Sequence, residues 1–313
     1  MKRILITGAN GQIGSELRET LAAQYGSDQV ISIDLNKPAG YDAKKLGVLE
    51  SVDVTDRQAI EKIIDQYQVG TVFHLVGILS GKGELNPDLA WNVNVSSLKY
   101  VLDFAKEKSL RVFWPSSIAV FGPTSPKEQT PQITTLEPTS IYGVTKVAGE
   151  LLCNYYFNKY RVDVRSLRFP GLISYKTPPG GGTTDYAVEI FYEALKRQAY
   201  TSFLKRDTVL PMMYMPDAIR AILELMTSPS DDLTIRTSYN LTAISFSVAE
   251  LATEIQKHIP AFQLSTDPDH RQKIADSWPR SIDDSIARRD WGWRHAFDLS
   301  AMTREMLKNL QAQ

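Results

Sequence analysis

Apolar segments of strand length alternate with segments of helix length from the start of the chain, and this alternation restricts the fold more than any other feature. The strand-length runs cover 3–7, 30–34, 49–54, 71–77, 111–117 and 162–169. Several are almost continuously apolar, the pattern of strands covered by helices on both faces. The expectation is α/β, a doubly wound parallel sheet. Beyond Pro170 the alternation fades into a glycine-rich loop and helix patterns at 185–197, 217–226 and 247–258. Residues 1–170 are therefore expected to form the sheet domain. Residues 171–313 are expected to form a smaller C-terminal lobe, interleaved with the last strands and helices of that domain.

The chain has 313 residues, enough for one large domain with a second lobe. Its 35 Lys plus Arg against 36 Asp plus Glu provide no field that would hold a nucleic-acid backbone or an anionic membrane. The single cysteine, Cys153, lies in an apolar run and reads as core; with no possible intrachain disulfide, a reducing, cytoplasmic setting is expected. The opening MKRILITGAN is too briefly apolar for a secretory signal or a spanning helix. A helix is expected after Asn86 as cap and Pro87 in the first turn. Its apolar face, Trp91, Val95, Leu98, Leu102 and Ala105, is to be covered by the core or by a second subunit.

The first strand runs into Thr7-Gly8-Ala9-Asn10-Gly11-Gln12-Ile13-Gly14, a GxxGxxG spacing followed at once by a helix pattern. Glycines there let the backbone turn tightly and approach a pyrophosphate at the helix N-terminus. Asp34 ends the second strand, 20 residues after Gly14, where a carboxylate accepts from ribose hydroxyls and repels a phosphate. The sheet domain is therefore read as a Rossmann domain that prefers NAD to NADP. Gly8, Gly11, Gln12, Ile13, Gly14 and Asp34 are its first contacts. Weaker positional readings add Asp53 and Val54 near the adenine, and Leu75, Val76 and Gly77 at the end of the fourth strand. Asn94, polar within an apolar helix, either braces backbone or faces solvent.

Tyr142-Gly143-Val144-Thr145-Lys146 places a phenol and an ammonium at i and i+4 on one helix face. A tyrosine near its usual pKa is a poor base at neutral pH, and a nearby cation lowers that pKa. Just upstream a strand ends in Ser116-Ser117, whose hydroxyls can hydrogen-bond a reacting oxygen, with Ser117 the first choice. His74, His258, His270 and His295 are too widely spaced for a metal site. The loop Gly180-Gly181-Gly182-Thr183-Thr184-Asp185 offers amides and hydroxyls for a substrate carboxylate, while Asp185 can pair with an ammonium or cap the helix that follows.

The order TGxxGxxG, acidic residue, PSS, YxxxK resembles the extended short-chain dehydrogenases. Within them, GGGTTDYAVEIF, LPMMYMPDAIRA and SWPRSIDDSIARRDWGW resemble the short-chain L-threonine 3-dehydrogenase family over essentially the whole chain. That resemblance implies Tyr142 as general base, Lys146 on the nicotinamide ribose and tuning Tyr142, and Ser117 orienting the substrate hydroxyl. It further implies Pro170 and Leu172 beside the nicotinamide, and Ser80, Ser117, Tyr142, Thr183, Thr184 and Trp278 around L-threonine. The implied reaction is metal-free oxidation to 2-amino-3-ketobutyrate, and the implied assembly is a homodimer. The rival within the group is a sugar-nucleotide epimerase or dehydratase, which carries an Arg-aromatic-aromatic-Asn pattern where this chain has Arg168-Phe169-Pro170-Gly171. A nonenzymatic NAD-sensing module is the second alternative, and it has no need of the Tyr/Lys pair.

Overall fold

The computed structural model describes residues 2–312. Five crossovers build most of one sheet. In chain order β1 (Arg3–Thr7) leads to α1 (Gln12–Tyr25) and β2 (Val30–Asp34), then α2 (Ala43–Leu46), β3 (Val48–Ser51), α3 (Arg57–Tyr67) and β4 (Val69–His74). The helical stretch α4 (Ser80–Leu85), α5 (Pro87–Trp91) and α6 (Ser97–Lys108) returns the chain to β5 (Arg111–Ser117), and α7 (Ile141–Tyr160) returns it to β6 (Val164–Phe169). Beyond these lie β7 (Gly171–Ile173), α8 (Tyr186–Arg197), β8 (Ala199–Ser202), β9 (Val209–Tyr214), α9 (Met215–Thr227) and β10 (Tyr239–Asn240). The chain ends through β11 (Ile244–Ser247), α10 (Val248–Gln256), β12 (Gln263–Thr266), α11 (Arg271–Ser277), α12 (Ser285–Trp291) and α13 (Leu299–Gln311).

The main sheet has seven strands in the order β10-β6-β5-β4-β1-β2-β3, every pairing parallel. The α/β, doubly wound expectation is met. Strand periodicity explains the two faces: Leu5 packs with Val72, Val112 and the α3 and α6 side chains, whereas its neighbour Ile6 packs with Phe73, Phe113 and Ala218 of α9. Because the chain leaves β1 for β2 on one side and returns to β4 on the other, a crevice opens beyond the carboxyl ends of β1 and β4. The last strand of this sheet, β10, comes from beyond residue 170. A three-stranded sheet, β11-β9-β7, and a parallel pair, β12-β8, hold a third apolar cluster with α8, α10 and α13. Among the described residues no helix is long and apolar enough to cross a membrane.

The helix after Asn86 departs from a regular stripe. Asn86 Oδ1 accepts from Leu89 N–H and Pro87 occupies the first turn, as expected. Between Trp91 and Ser97, however, Asn92–Ser96 form a π-turn. One extra residue per turn rotates everything before it by roughly 100°. Trp91 is thereby 43% exposed while Val95, Leu98, Leu102 and Ala105 remain buried.

Beneath β5 and β6 lies a buried ion pair. Arg168 grips the Glu150 carboxylate of α7 with two N–H groups, at 2.8 and 2.7 Å, and Ser116 Oγ donates to the same carboxylate at 2.6 Å. The remaining Arg168 nitrogen donates to Gln132 O and Asn240 Oδ1. Asn240 Nδ2 in turn reaches Thr130 O and Asp283 O, and Thr130 bridges to Ile282. The pair therefore ties α7 to β5, β6, β10 and the C-terminal segment. Breaking one partner of such a pair leaves a buried charge uncompensated. Glu150→Gln is expected to cost about 3–5 kcal/mol in urea unfolding; a loss below about 1 kcal/mol would show that the network is dispensable.

Candidate active site

The glycine loop sits at the crevice because its backbone has no clearance for side chains. Gly8 has φ +68°, and a Cβ there would lie 2.7 Å from the Val76 backbone. A Cβ at Gly14 would lie 2.2 Å from the Gly8 carbonyl oxygen. The loop, the end of β4 and the start of α1 are thus interlocked, leaving the first-turn amides of α1 free for an anion. From this loop a cavity of about 570 Å³ runs to the start of α7 and the Gly182–Asp185 segment. A cavity of similar size, about 580 Å³, opens at the opposite edge of the sheet around Lys2, Gly70 and Arg111, far from these groups.

The cavity brings together Gly8, Gly11, Gln12, Ile13, Gly14, Asp34, Leu75, Val76, Gly77, Pro170 and Leu172 on one side. Ser80, Ser117, Tyr142, Lys146, Thr183, Thr184, Asp185 and Trp278 line it as well. Asp34 accepts from Asn10 N–H at 2.9 Å and from Leu35 N–H at 2.8 Å. Three sequence candidates do not line it. Asp53 turns its carboxylate onto Thr55 N–H and Oγ, and its neighbour Val54 is buried with the α3 side chains. Asn94 is buried in the π-turn, where it receives Ile78 N–H and donates to Ile78 O and Thr145 Oγ1. Of the two roles open to Asn94 in the sequence, it performs the bracing one. The cradle without room for a Cβ and the carboxylate at the end of β2 fit a dinucleotide.

Tyr142 enters the cavity from the first turn of α7, where Ser140 Oγ caps Gly143 N–H. The two serines ending β5 divide their work. Ser116 is drawn inward by Glu150, whereas Ser117 lines the cavity with Tyr142. Lys146, one turn on, is buried with Nζ donating to Pro115 O at 2.6 Å, 4.5 Å from the Trp114 ring centroid and 5.5 Å from that of Tyr142. Burial pushes Tyr142 up to about 12, with the neighbouring Ser117 hydroxyl opposing it. Burial likewise pushes Lys146 down to about 7, with Cys153 and Glu150 opposing it. The lowering of Tyr142 expected from the neighbouring cation is therefore outweighed: enclosure of the phenol dominates, and the ammonium is turned onto a carbonyl.

The Gly180–Gly182 amides take a partner that the sequence left open. All three donate to Asp185 Oδ2, at 2.7, 2.7 and 2.8 Å, so the chain's own carboxylate fills the nest they form. Asp185 gives no side-chain cap to α8. Thr183 is buried and Thr184 half-buried at the same wall. At Gly171 a Cβ would lie 2.3 Å from Met212 Sδ and 2.8 Å from Thr184. The asparagine of the sugar-nucleotide pattern has no room there.

Sequence reading missed His74. Its Nδ1 lies 2.9 Å from Thr7 Oγ1 and its Nε2 2.9 Å from Ser97 Oγ, with both partners buried. Ser97 donates its proton to Val93 O, so His74 Nε2 donates to Ser97 and Nδ1 accepts from Thr7. Burial, aided by the Lys146 charge, pushes His74 down to about 3 and keeps it neutral. No grouping of three His, Cys, Asp or Glu able to hold a metal occurs among the described residues.

Comparison with known proteins agrees with this geometry. The family model described as NAD dependent epimerase/dehydratase matches residues 4–241. An uncharacterised epimerase/dehydratase of Staphylococcus haemolyticus is 49% identical over 99% of this chain and 98% of its own. The X-ray structure of an L-threonine dehydrogenase from Clostridium difficile is 50% identical, covers 100% of this chain and 98% of its own, and superposes with a TM-score of 0.97. A metagenomic L-threonine 3-dehydrogenase described as monomeric is 50% identical, covers 99% of each chain and has a TM-score of 0.95. With the glycine loop, Asp34 and the Ser/Tyr/Lys group in one cavity, the chain belongs to the NAD-dependent epimerase/dehydratase family and is an NAD-dependent enzyme.

Proposed function

We propose that this chain oxidises L-threonine to 2-amino-3-ketobutyrate. The observation that carries the reading is half-identity over full length to L-threonine dehydrogenase structures, joined to a cavity in which Ser117, Tyr142 and Lys146 meet Thr183 and Thr184. The closed wall at Gly171 supports an amino acid over a sugar nucleotide. NAD, when bound, supplies the hydride acceptor.

Tyr142 takes the proton of the substrate hydroxyl, and Ser117, which lines the same cavity, orients that hydroxyl. Lys146, one turn away, binds the nicotinamide ribose. Thr183, Thr184 and Ser80 supply hydroxyls to the polar groups of the substrate, and Trp278 closes the apolar side of the cavity. Asp185 holds the glycine loop in place and leaves its second oxygen for the ammonium. Chelator-resistant formation of NADH from L-threonine, and not from D-threonine or UDP-sugars, is the expected assay result. Isomerised sugar without net NADH would overturn the substrate. Because burial raises Tyr142, kcat/KM is expected to climb with pH on the alkaline side. Tyr142→Phe should remove that climb and at least about 100-fold of turnover while retaining NAD binding; near-normal turnover in the folded variant would exclude this base.

Lys146 should act against stability. Its folded-state value of about 7 lies below the ordinary 10.5, so between these values the unfolded chain binds the proton more readily. Lys146→Met is expected to stabilise by about 1–3 kcal/mol below pH 7. That advantage shrinks as pH rises toward 10.5, and turnover is lost throughout. Unchanged thermal unfolding across this range would contradict the buried-charge account.

We also propose a homodimer. Val144, Leu151 and Tyr155 form an exposed stripe on α7, and Leu89 and Trp91 of the adjacent α5 extend it. Light scattering should give twice the chain mass, with Leu151→Glu shifting it toward one. A single-chain mass for the wild type, the state given for the metagenomic relative, would remove the assembly.

A further inference from the structure

A cation without a counter-ion lies behind the ribose-facing carboxylate. Arg18, on the second turn of α1, is only 6% exposed, yet it forms no ion pair with any carboxylate among the described residues. Its Nε has no hydrogen-bond partner, its guanidinium stacks 5.0 Å from the Tyr41 ring centroid, and one terminal nitrogen donates to Asn10 Oδ1 at 3.2 Å. A buried guanidinium without a counter-charge is costly unless something nearby compensates it.

Asp34 is the compensating group, at one remove. Asn10 lines the cofactor cavity and joins the two charges: its backbone N–H donates to Asp34 and its side-chain oxygen accepts from Arg18. The Asn10 amide nitrogen also donates to Asn36 O, which fixes the bridge against the loop after β2. Lys37, in that loop, places a second, exposed cation 5.6 Å from the same Tyr41 ring. The place that a carboxylate keeps closed to a ribose phosphate is therefore backed by positive charge.

We propose that Arg18 and Asp34 form an Asn10-bridged charge couple that sets nucleotide choice. Asp34 refuses a phosphate on the ribose 2′ oxygen, and Arg18 turns the same place into a receptor for that phosphate once the carboxylate is removed. An arginine fork and a phosphate form short, charge-assisted hydrogen bonds, so the guanidinium decides the strength of the receptor. Arg18 is thus a specificity-determining residue whose effect Asp34 conceals in the wild type.

The test is calorimetric binding of adenosine 2′,5′-bisphosphate against 5′-AMP, with NADP and NAD alongside. It requires no amino-acid substrate, so its result is independent of the proposed oxidation. Wild type is expected to favour 5′-AMP. Asp34→Ser should raise affinity for the bisphosphate by about 100-fold relative to 5′-AMP, the scale of two charge-assisted hydrogen bonds. Asp34→Ser with Arg18→Met should lose at least about tenfold of that gain, and the loss should shrink in high salt. Asp34→Asn, which keeps an oxygen for one of the two amides that Asp34 receives, repeats the experiment if the serine variant is poorly folded. A double variant that keeps the full gain would overturn the role of Arg18. An Asp34 variant without any gain would overturn the receptor itself.

Discussion

One neutral imidazole holds the cavity-lining half of the molecule in register. His74 ends β4 and receives Thr7, the residue before the glycine loop, on one nitrogen while giving the other to Ser97. Ser97 closes onto Val93 in the π-turn, and Asn94 in that turn clasps Ile78 and Thr145. Thr145 donates to Tyr142 O on α7. A chain of short polar contacts therefore leads from the glycine loop to the helix that carries Tyr142. The Thr7 hydroxyl in it donates to a ring nitrogen and so requires an uncharged imidazole, which is what complete burial enforces. A protonated ring would present two donors and leave the Thr7 hydroxyl facing a hydrogen.

The π-turn follows from the same constraint. A regular helix between Asn86 and Lys108 would continue the Trp91 stripe into the core, but would not place Asn94 against both Ile78 backbone groups and Thr145. The inserted residue reconciles the two demands by letting α5 and α6 present different faces. Side-chain hydrogen bonding inside the protein has outranked the periodicity of the apolar pattern.

Much of the architecture was legible because it rests on local rules. The runs at 3–7, 30–34 and 111–117 coincide with β1, β2 and β5. The run at 49–54 was read too far, since pairing with β2 stops at Ser51 and Asp53 folds back on Thr55. The run at 71–77 was placed too late, since β4 starts at Val69 and 75–77 leave the sheet to line the cavity. The glycine spacing and the i, i+4 phenol and ammonium are likewise local, and they converge as expected. What sequence alone concealed joins distant positions: His74 with Ser97, Glu150 with Arg168, and Gly171 with Met212. Charge environment was concealed for the same reason. Whether Lys146 lowers Tyr142, or enclosure raises it, depends on neighbours such as Pro115 and Ser117 that no helical spacing names.

Cys153 lies two turns beyond Lys146 on the inward side of α7, fully shielded from solvent and packed with Trp114 and Val164. Its thiol is pushed well above the usual range by burial and the Glu150 charge. As the only cysteine in the chain, it leaves the native fold with no thiol that a reagent in water can reach. Alkylation must wait until α7 lifts from the sheet. The protein thus carries a built-in clock for that excursion, and anything that clamps the helix in place, nucleotide included, slows its ticking.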